Sequence, residues 1–183
     1  NFPSFADYFK AFELSPPAIN AAFLCGHNTI RAGVMGGDVN RPATNNEIRR
    51  METIVAESIN SGAIGISSGL MYPAGIHAPT SEVAALAAVS GHLGGLYTTH
   101  LRDEAEGLLT SVEEAAEIGR LGDVPVVLSH HKVTGSSNWG MTRDSLKRID
   151  QLAEGQSIHF DVYPYAASAT ALMPDRLSIA EKI

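Results

Sequence analysis

The stretch GLYTTHLRDEAEGLLTSVEEAAEIGRLGDVPVVLSHHK, Gly95–Lys132, decides how this chain is read. It opens on a short apolar run, Gly95–Thr99, and closes on a second, Val124–Ser129. Between them Ala105–Leu121 carries a helical pattern that Gly122 stops. A strand, a helix and a strand in that order call for parallel pairing. Each run ends on polar residues: Thr99-His100-Leu101-Arg102-Asp103-Glu104 after the first, Ser129-His130-His131-Lys132 after the second.

The same unit recurs on either side. Further apolar runs lie at Ala18–Cys25, Ala63–Ser67 and Ile158–Val162, and the last four of the five begin about 30 residues apart. Thr44–Ser61 has Ile48, Met51, Ile54, Val55 and Ile59 at helical spacing. Thr44 and Glu47 form a capping box there, and Gly62 supplies the stop. Thr80 is the expected cap of a helix ending near Gly91, and Thr142 of another running to about Gly155. Continuous apolar runs suit strands buried on both faces. An open doubly wound sheet and a (β/α) barrel both fit. No glycine-rich dinucleotide fingerprint follows any run, which favours the barrel. The fold class expected is therefore α/β, a partial TIM-type barrel of about five parallel strand-helix units, with residues 1–183 as a single region and no internal domain boundary. Five units cannot close a barrel. The chain also starts at Asn1 inside a helix-like pattern and ends just after a helix start, so it reads as the central part of a longer protein.

Composition narrows the function classes. The net charge of -7 lacks the basic stripe that nucleic acid requires. No run approaches the roughly 18 apolar residues of a membrane span. The single cysteine, Cys25, permits no internal disulfide and fits a cytoplasmic, reducing compartment.

In barrel enzymes the chemistry gathers at the carboxyl ends of the strands. His100 and His130 stand just past successive runs, and parallel neighbours lie about 4.8 Å apart. Two imidazoles so placed can converge on one metal ion. His131 follows His130 and should point the other way. His27 reads as a structural hydrogen-bonding residue, and His77, His92 and His159 suggest no chemistry. Trp139, in the loop Gly135–Gly140, is either a cover for the site or a packing residue.

The wording of several segments resembles the D-aminoacylase (N-acyl-D-amino-acid deacylase) family of the amidohydrolase superfamily. These segments are Gly62-Ala63-Ile64-Gly65-Ile66-Ser67-Ser68-Gly69-Leu70-Met71-Tyr72-Pro73, Thr99–Glu104, Ser129–Lys132, Asp161-Val162-Tyr163-Pro164-Tyr165 and Gly26-His27-Asn28-Thr29-Ile30-Arg31. The resemblance implies zinc as cofactor, with His100 and His130 as two of its ligands. It implies that Lys132 and Tyr163 hold the substrate α-carboxylate and that Tyr72 contacts the oxygen of the scissile amide in a catalytic role. It makes Arg102 and Asp103 second-shell residues that fix their loop. The substrate implied is a small-molecule N-acyl-D-amino acid, hydrolysed to a carboxylate and a free D-amino acid. Members of the family place Gly-Ser-Thr after Tyr-Pro-Tyr, where this chain has Ser168-Ala169-Thr170, which puts carboxylate recognition in question. The family's His-x-His pair, metal-binding cysteine and catalytic aspartate have no counterpart here; Cys25 is not that cysteine. Arg176 is a further cation suited to an acidic substrate side chain. Other readings stay open: a related amidohydrolase acting on N-acyl-D-glutamate or N-acyl-D-aspartate, dipeptides or cyclic amides; a non-catalytic assembly fragment; or a phosphate-binding protein. An incomplete barrel would need the remainder of the barrel or another copy over its open sheet edges.

Overall fold

The computed structural model describes residues 2–165 and 167–170. Arg176 and the expected helix at the C-terminal end lie outside them. Five strands form one sheet in chain order: β1 (Cys25–Gly26), β2 (Gly65–Gly69), β3 (Leu96–His100), β4 (Val126–Leu128) and β5 (Ile158–Phe160). Every neighbouring pair is parallel. The helices are α1 (Phe5–Leu14), α2 (His27–Met35), α3 (Asn45–Asn60), α4 (Thr80–His92), α5 (Leu108–Gly122) and α6 (Met141–Ala153). The strand-helix rhythm read from the sequence is thus the architecture, an arc of a barrel.

The core lies between the sheet and its helices. Ile66, Tyr97, Val126 and Leu128 from the strands are fully buried with Met51, Val55, Val83, Leu86, Leu108, Val112 and Ile118 from the helices. Burial alternates along β3. Tyr97 and Thr99 are buried, whereas Leu96, Thr98 and His100 are half-buried. The strands are therefore not buried on both faces, because among the described residues no strand stands across the arc from them.

Local chemistry accounts for most element boundaries. The capping box forms as expected: Thr44 Oγ1 accepts from the Glu47 amide, and the Glu47 carboxylate accepts from the Thr44 amide. Two other expected caps do not form. The α4 cap position is Pro79, and the Thr80 hydroxyl instead donates to Glu114 at 2.9 Å. Helix α6 starts at Met141, after Gly140 in the left-handed region. Helix α5 starts three residues later than expected. The Asp103 carboxylate captures the amides of Ala105 and Gly107, at 2.6 and 3.3 Å, and holds them in a turn. The strand expected over Ala18–Cys25 shrinks to Cys25–Gly26. Its first half follows Pro16-Pro17 and is solvent-exposed; the chain first meets the sheet at Phe23, whose carbonyl accepts the Ile64 amide.

A buried polar knot joins α2, α4 and the segment between α2 and α3. His27, Arg31 and Glu82 are all fully buried. The Glu82 carboxylate accepts from Arg31 Nε at 2.7 Å and from the Ala43 amide at 3.1 Å, and lies 3.1 Å from His27 Nε2. Arg31 directs three of its other donors to the carbonyls of Val39, Ala74 and Arg41. His27 is therefore structural, and it begins a helix rather than ending a strand. Burial by itself would raise the Glu82 carboxyl, but the hydrogen bonds from His27, Arg31 and Ala43 outweigh it and hold the group below its usual value.

Removing one partner of a buried charge cluster leaves the others uncompensated, at a cost of about 3–5 kcal/mol. Glu82→Ala is accordingly expected to lower urea-unfolding stability by about that amount at neutral pH. Because the folded carboxyl sits below its unfolded value, its contribution is complete above about pH 4.3 and is lost as pH falls through the folded value. The gap between the wild type and Glu82→Ala should therefore narrow in acid. Glu117→Ala, which breaks an exposed pair with Arg120, should leave the unfolding midpoint unchanged.

Candidate metal and substrate site

Register places the strand ends to within one residue. Thr99 pairs with Leu128, so His100 at the end of β3 is level with Ser129, and His130 stands one residue beyond it. One residue in a strand reverses the side chain. The backbone of His130 corrects this by taking a left-handed conformation, φ 44°. The Asp161 carboxylate, just past β5, accepts the His130 amide at 2.6 Å and holds the turn. The two imidazole rings consequently meet edge to face, with centroids 4.7 Å apart. His131 points the other way, as expected, and its Nε2 meets Ser145 Oγ at 2.9 Å in the core beneath α6.

Glu104, which the sequence did not single out, completes the cluster. Ligand atoms of His100, Glu104 and His130 all lie within 4.8 Å of one another. Four ligands at 2.0–2.1 Å in a tetrahedron stand about 3.3 Å apart, so the two imidazoles can share one ion with the Glu104 carboxylate beside them. The Nδ1 side of each ring is already occupied. His100 Nδ1 bonds the Leu101 carbonyl at 2.9 Å, and His130 Nδ1 lies 3.2 Å from Glu104 and 3.0 Å from Lys132 Nζ. No hydrogen bond among the described residues uses either Nε2. Burial pushes the His100 imidazole below its ordinary value, which keeps it neutral and able to ligate near neutral pH.

The remaining sequence candidates surround this cluster. A cavity of about 690 Å³ is lined by Tyr72, His100, Glu104, His130, Lys132 and Tyr163, with Thr170 at its rim. Lys132 Nζ is 2.7 Å from the Glu104 carboxylate and 5.9 Å from the centre of the Tyr163 ring. The Tyr72 ring lies 5.1 Å from that of His100, and its hydroxyl is 3.2 Å from Thr170 Oγ1. Ser168 and Ala169 line the same cavity. Arg102 does not reach it. Its guanidinium bonds Glu114 twice, at 2.7 and 2.8 Å, and the carbonyls of Ile76 and Ala78, both at 2.9 Å. Arg102 thereby ties the loop after β3 to the loop after β2, and Asp103 ties its own loop through Ala105 and Gly107. Trp139 is 78% exposed among the described residues and borders a second cavity beside Lys132 and Tyr163.

No family model matches the chain. Individual proteins do. It is 45% identical over 179 residues to a D-aminoacylase of Alcaligenes xylosoxydans xylosoxydans, covering 98% of this chain and 37% of the relative. It is 40% identical over 182 residues to an N-acyl-D-aspartate deacylase of the same organism, covering 99% of this chain and 36% of that one. Among solved structures, the N-acyl-D-glutamate deacylase of Bordetella bronchiseptica, complexed with zinc and a phosphonate mimic of the tetrahedral intermediate, superimposes with a TM-score of 0.92 at 38% identity. That match covers 96% of this chain and 37% of the other. A D-aminoacylase structure described as defining a subset of amidohydrolases matches with a TM-score of 0.88 at 44% identity, over 90% of this chain and 35% of that one. The chain thus spans little more than a third of the length of these relatives.

The carboxylate that flanks a ligating histidine typically governs metal affinity by 10–100-fold. Glu104→Gln is expected to weaken divalent-ion binding by about that factor in a chelator-competition titration, with an unchanged circular dichroism spectrum.

Proposed function

We propose that this chain, which belongs to the D-aminoacylase and N-acyl-D-amino-acid deacylase family of amidohydrolases, supplies two zinc ligands and the substrate-holding wall of an enzyme that hydrolyses the amide bond of N-acyl-D-amino acids. The observation that carries this reading is the convergence of His100 and His130 at one mouth of the arc, with Tyr72, Lys132 and Tyr163 around them. Residues 1–183 would be a continuous portion of one barrel domain. The remainder of that barrel, or another copy, would cover the open sheet edges, where Phe160 and Val162 are exposed. Among the described residues no helix is long and apolar enough to cross a membrane. A cytoplasmic location suits the single, buried free thiol of Cys25.

An amide is a weak electrophile and water a weak nucleophile. Zinc held by such residues lowers the pKa of water to about 7 and polarises a carbonyl. His100 and His130 would hold the ion through Nε2, since Nδ1 of each ring is engaged elsewhere. The Tyr72 hydroxyl would donate to the amide oxygen as negative charge develops there. Lys132 and Tyr163 would grip the α-carboxylate, and Glu104 would keep the ammonium in place between substrates. A fixed carboxylate and a fixed carbonyl orient the amide, and a third contact, to the side chain, would be what separates D from L. Ala169 offers the carboxylate no side-chain donor, so Ser168 and Thr170, on the same cavity wall, would take that role.

The test is zinc content and hydrolysis of N-acetyl-D-amino acids in the full-length protein that carries this chain. His100→Ala and His130→Ala are each expected to remove about one zinc together with the activity. Retention of both zinc and activity in either variant refutes the ligand assignment. Lys132→Ala should raise KM about 10- to 150-fold, the loss of one charge-assisted hydrogen bond of about 1.5–3 kcal/mol, with zinc content unchanged.

A further inference from the structure

We propose that Asn28 is the positioning residue for Tyr72, an inference that rests on the role assigned above to the Tyr72 hydroxyl. The argument starts at β1. Its register pairs Gly26 with Ser67, and the chain then turns into α2 at His27. No backbone of that element continues beside Gly69 at the end of β2. The Asn28 side chain takes the place of the missing peptide. Its Nδ2 donates to the Gly69 carbonyl at 2.9 Å, and its Oδ1 accepts from the Gly69 amide at 3.3 Å. A side-chain amide thus caps the end of β2 by binding both polar groups of Gly69, at the point where β2 gives way to the turn that carries Tyr72.

That turn is built on the same carbonyl. Gly69 O also accepts the Tyr72 amide at 3.2 Å, and Tyr72 O accepts the amides of Gly75 and Ile76 at 2.8 and 2.9 Å. Packing leaves the turn no slack. A Cβ on Gly69 would stand 2.6 Å from Tyr72 Cδ2. A Cβ on Gly75 would stand 2.6 Å from Gly69 O and 3.1 Å from both polar atoms of the Asn28 amide. Asn28 is itself anchored from behind, since its Oδ1 lies 3.2 Å from His27 Nδ1, and His27 Nε2 lies 3.1 Å from the buried Glu82. The chain of contacts Glu82–His27–Asn28–Gly69 therefore ends at Tyr72, whose ring meets that of His100 edge to face in the cavity wall.

The test is a double-mutant cycle in the full-length zinc-loaded protein: Asn28→Ala, Tyr72→Phe and the two combined. Tyr72→Phe should lower kcat about 100- to 1,000-fold, the loss of one oxyanion donor. Asn28→Ala should lower kcat by a comparable factor while KM and zinc content stay within about twofold. The combined variant should be no slower than Tyr72→Phe alone, because a hydroxyl that is absent cannot be misplaced. Asn28→Asp keeps the shape and the acceptor but removes the donor to Gly69 O, and it completes the same cycle if the alanine variant does not fold. Losses that multiply in the combined variant, or an unchanged kcat in the folded Asn28 variant, overturn the positioning role and leave the Tyr72 assignment standing. An unchanged kcat in Tyr72→Phe overturns the Tyr72 assignment itself, and the role of Asn28 with it.

Discussion

Everything at the mouth of this arc depends on one backbone conformation, the left-handed turn at His130. Parallel pairing sets His100 level with Ser129, so an extended chain would send the His130 side chain to the opposite face of the sheet. A non-glycine residue in that region costs of order 1–3 kcal/mol and persists only where its surroundings hold it. Here the holding group is the Asp161 carboxylate, which binds the His130 amide. β5 follows β4 in the ladder so closely that the His131 amide also donates to the Asp161 carbonyl, at 2.8 Å. The fifth strand is thus part of the site even though it contributes no ligand. It also lets two adjacent histidines serve different purposes, His130 turned to the cavity and His131 to the core.

The second constraint is charge. An ammonium beside two imidazoles works against cation binding, because like charges in a half-buried cluster repel. Glu104 offsets this by lying against both, 2.7 Å from Lys132 and 3.2 Å from His130, which are themselves 3.0 Å apart. It is buried on a loop that would otherwise be free to move. Arg102 pins that loop to the loop after β2, and Asp103 closes it on itself. The run Arg102-Asp103-Glu104 therefore has three different tasks in three successive residues. One joins two loops, one shapes the turn, and one neutralises the cluster.

Much of this was legible in the sequence, and the parts that were not share a cause. The strand-helix period and the Thr44–Glu47 capping box follow from local patterns that survive into the fold, whereas the opposite orientations of His130 and His131, expected from strand alternation, are set by the left-handed turn at His130. The first strand was overextended because an apolar run after Pro16-Pro17 looks the same whether or not a ladder partner reaches it. Thr80 and Thr142 looked like caps because their residue type suits the role, but Thr80 found a better partner in Glu114, on another helix. Glu104 was overlooked because a glutamate in a charged run reads as a solvated surface residue. The buried Arg31–Glu82 pair is 51 residues apart in sequence, and no local spacing announces it. Asn28 is the extreme case. It lies in the family-like segment Gly26–Arg31, but a side-chain amide that binds a backbone residue leaves no period and no charge to show what it does there.

The cluster's electrostatics also bear on which substrates suit it. Glu104 and Lys132 balance one another, and the imidazoles add no net charge while neutral. A divalent ion bound between them would leave the cavity mouth positive, inside a chain whose formal net charge is -7. Such a local field attracts an anion and is strengthened by the low-dielectric walls around it. An N-acyl amino acid, the substrate proposed above, would meet that field twice, first through its carboxylate on binding and again through the amide oxygen as it gains charge. The carboxylate interaction is present in ground and transition states alike and so acts on affinity. The interaction with the developing oxyanion appears only in the transition state and so acts on rate. In the proposed reading Lys132 with Tyr163, and Tyr72, would stand on the two sides of that division. The first pair lies on the loops after β4 and β5, and Tyr72 lies on the turn after β2, so the fold would separate the residues proposed to hold the substrate from the one proposed to respond to its reaction.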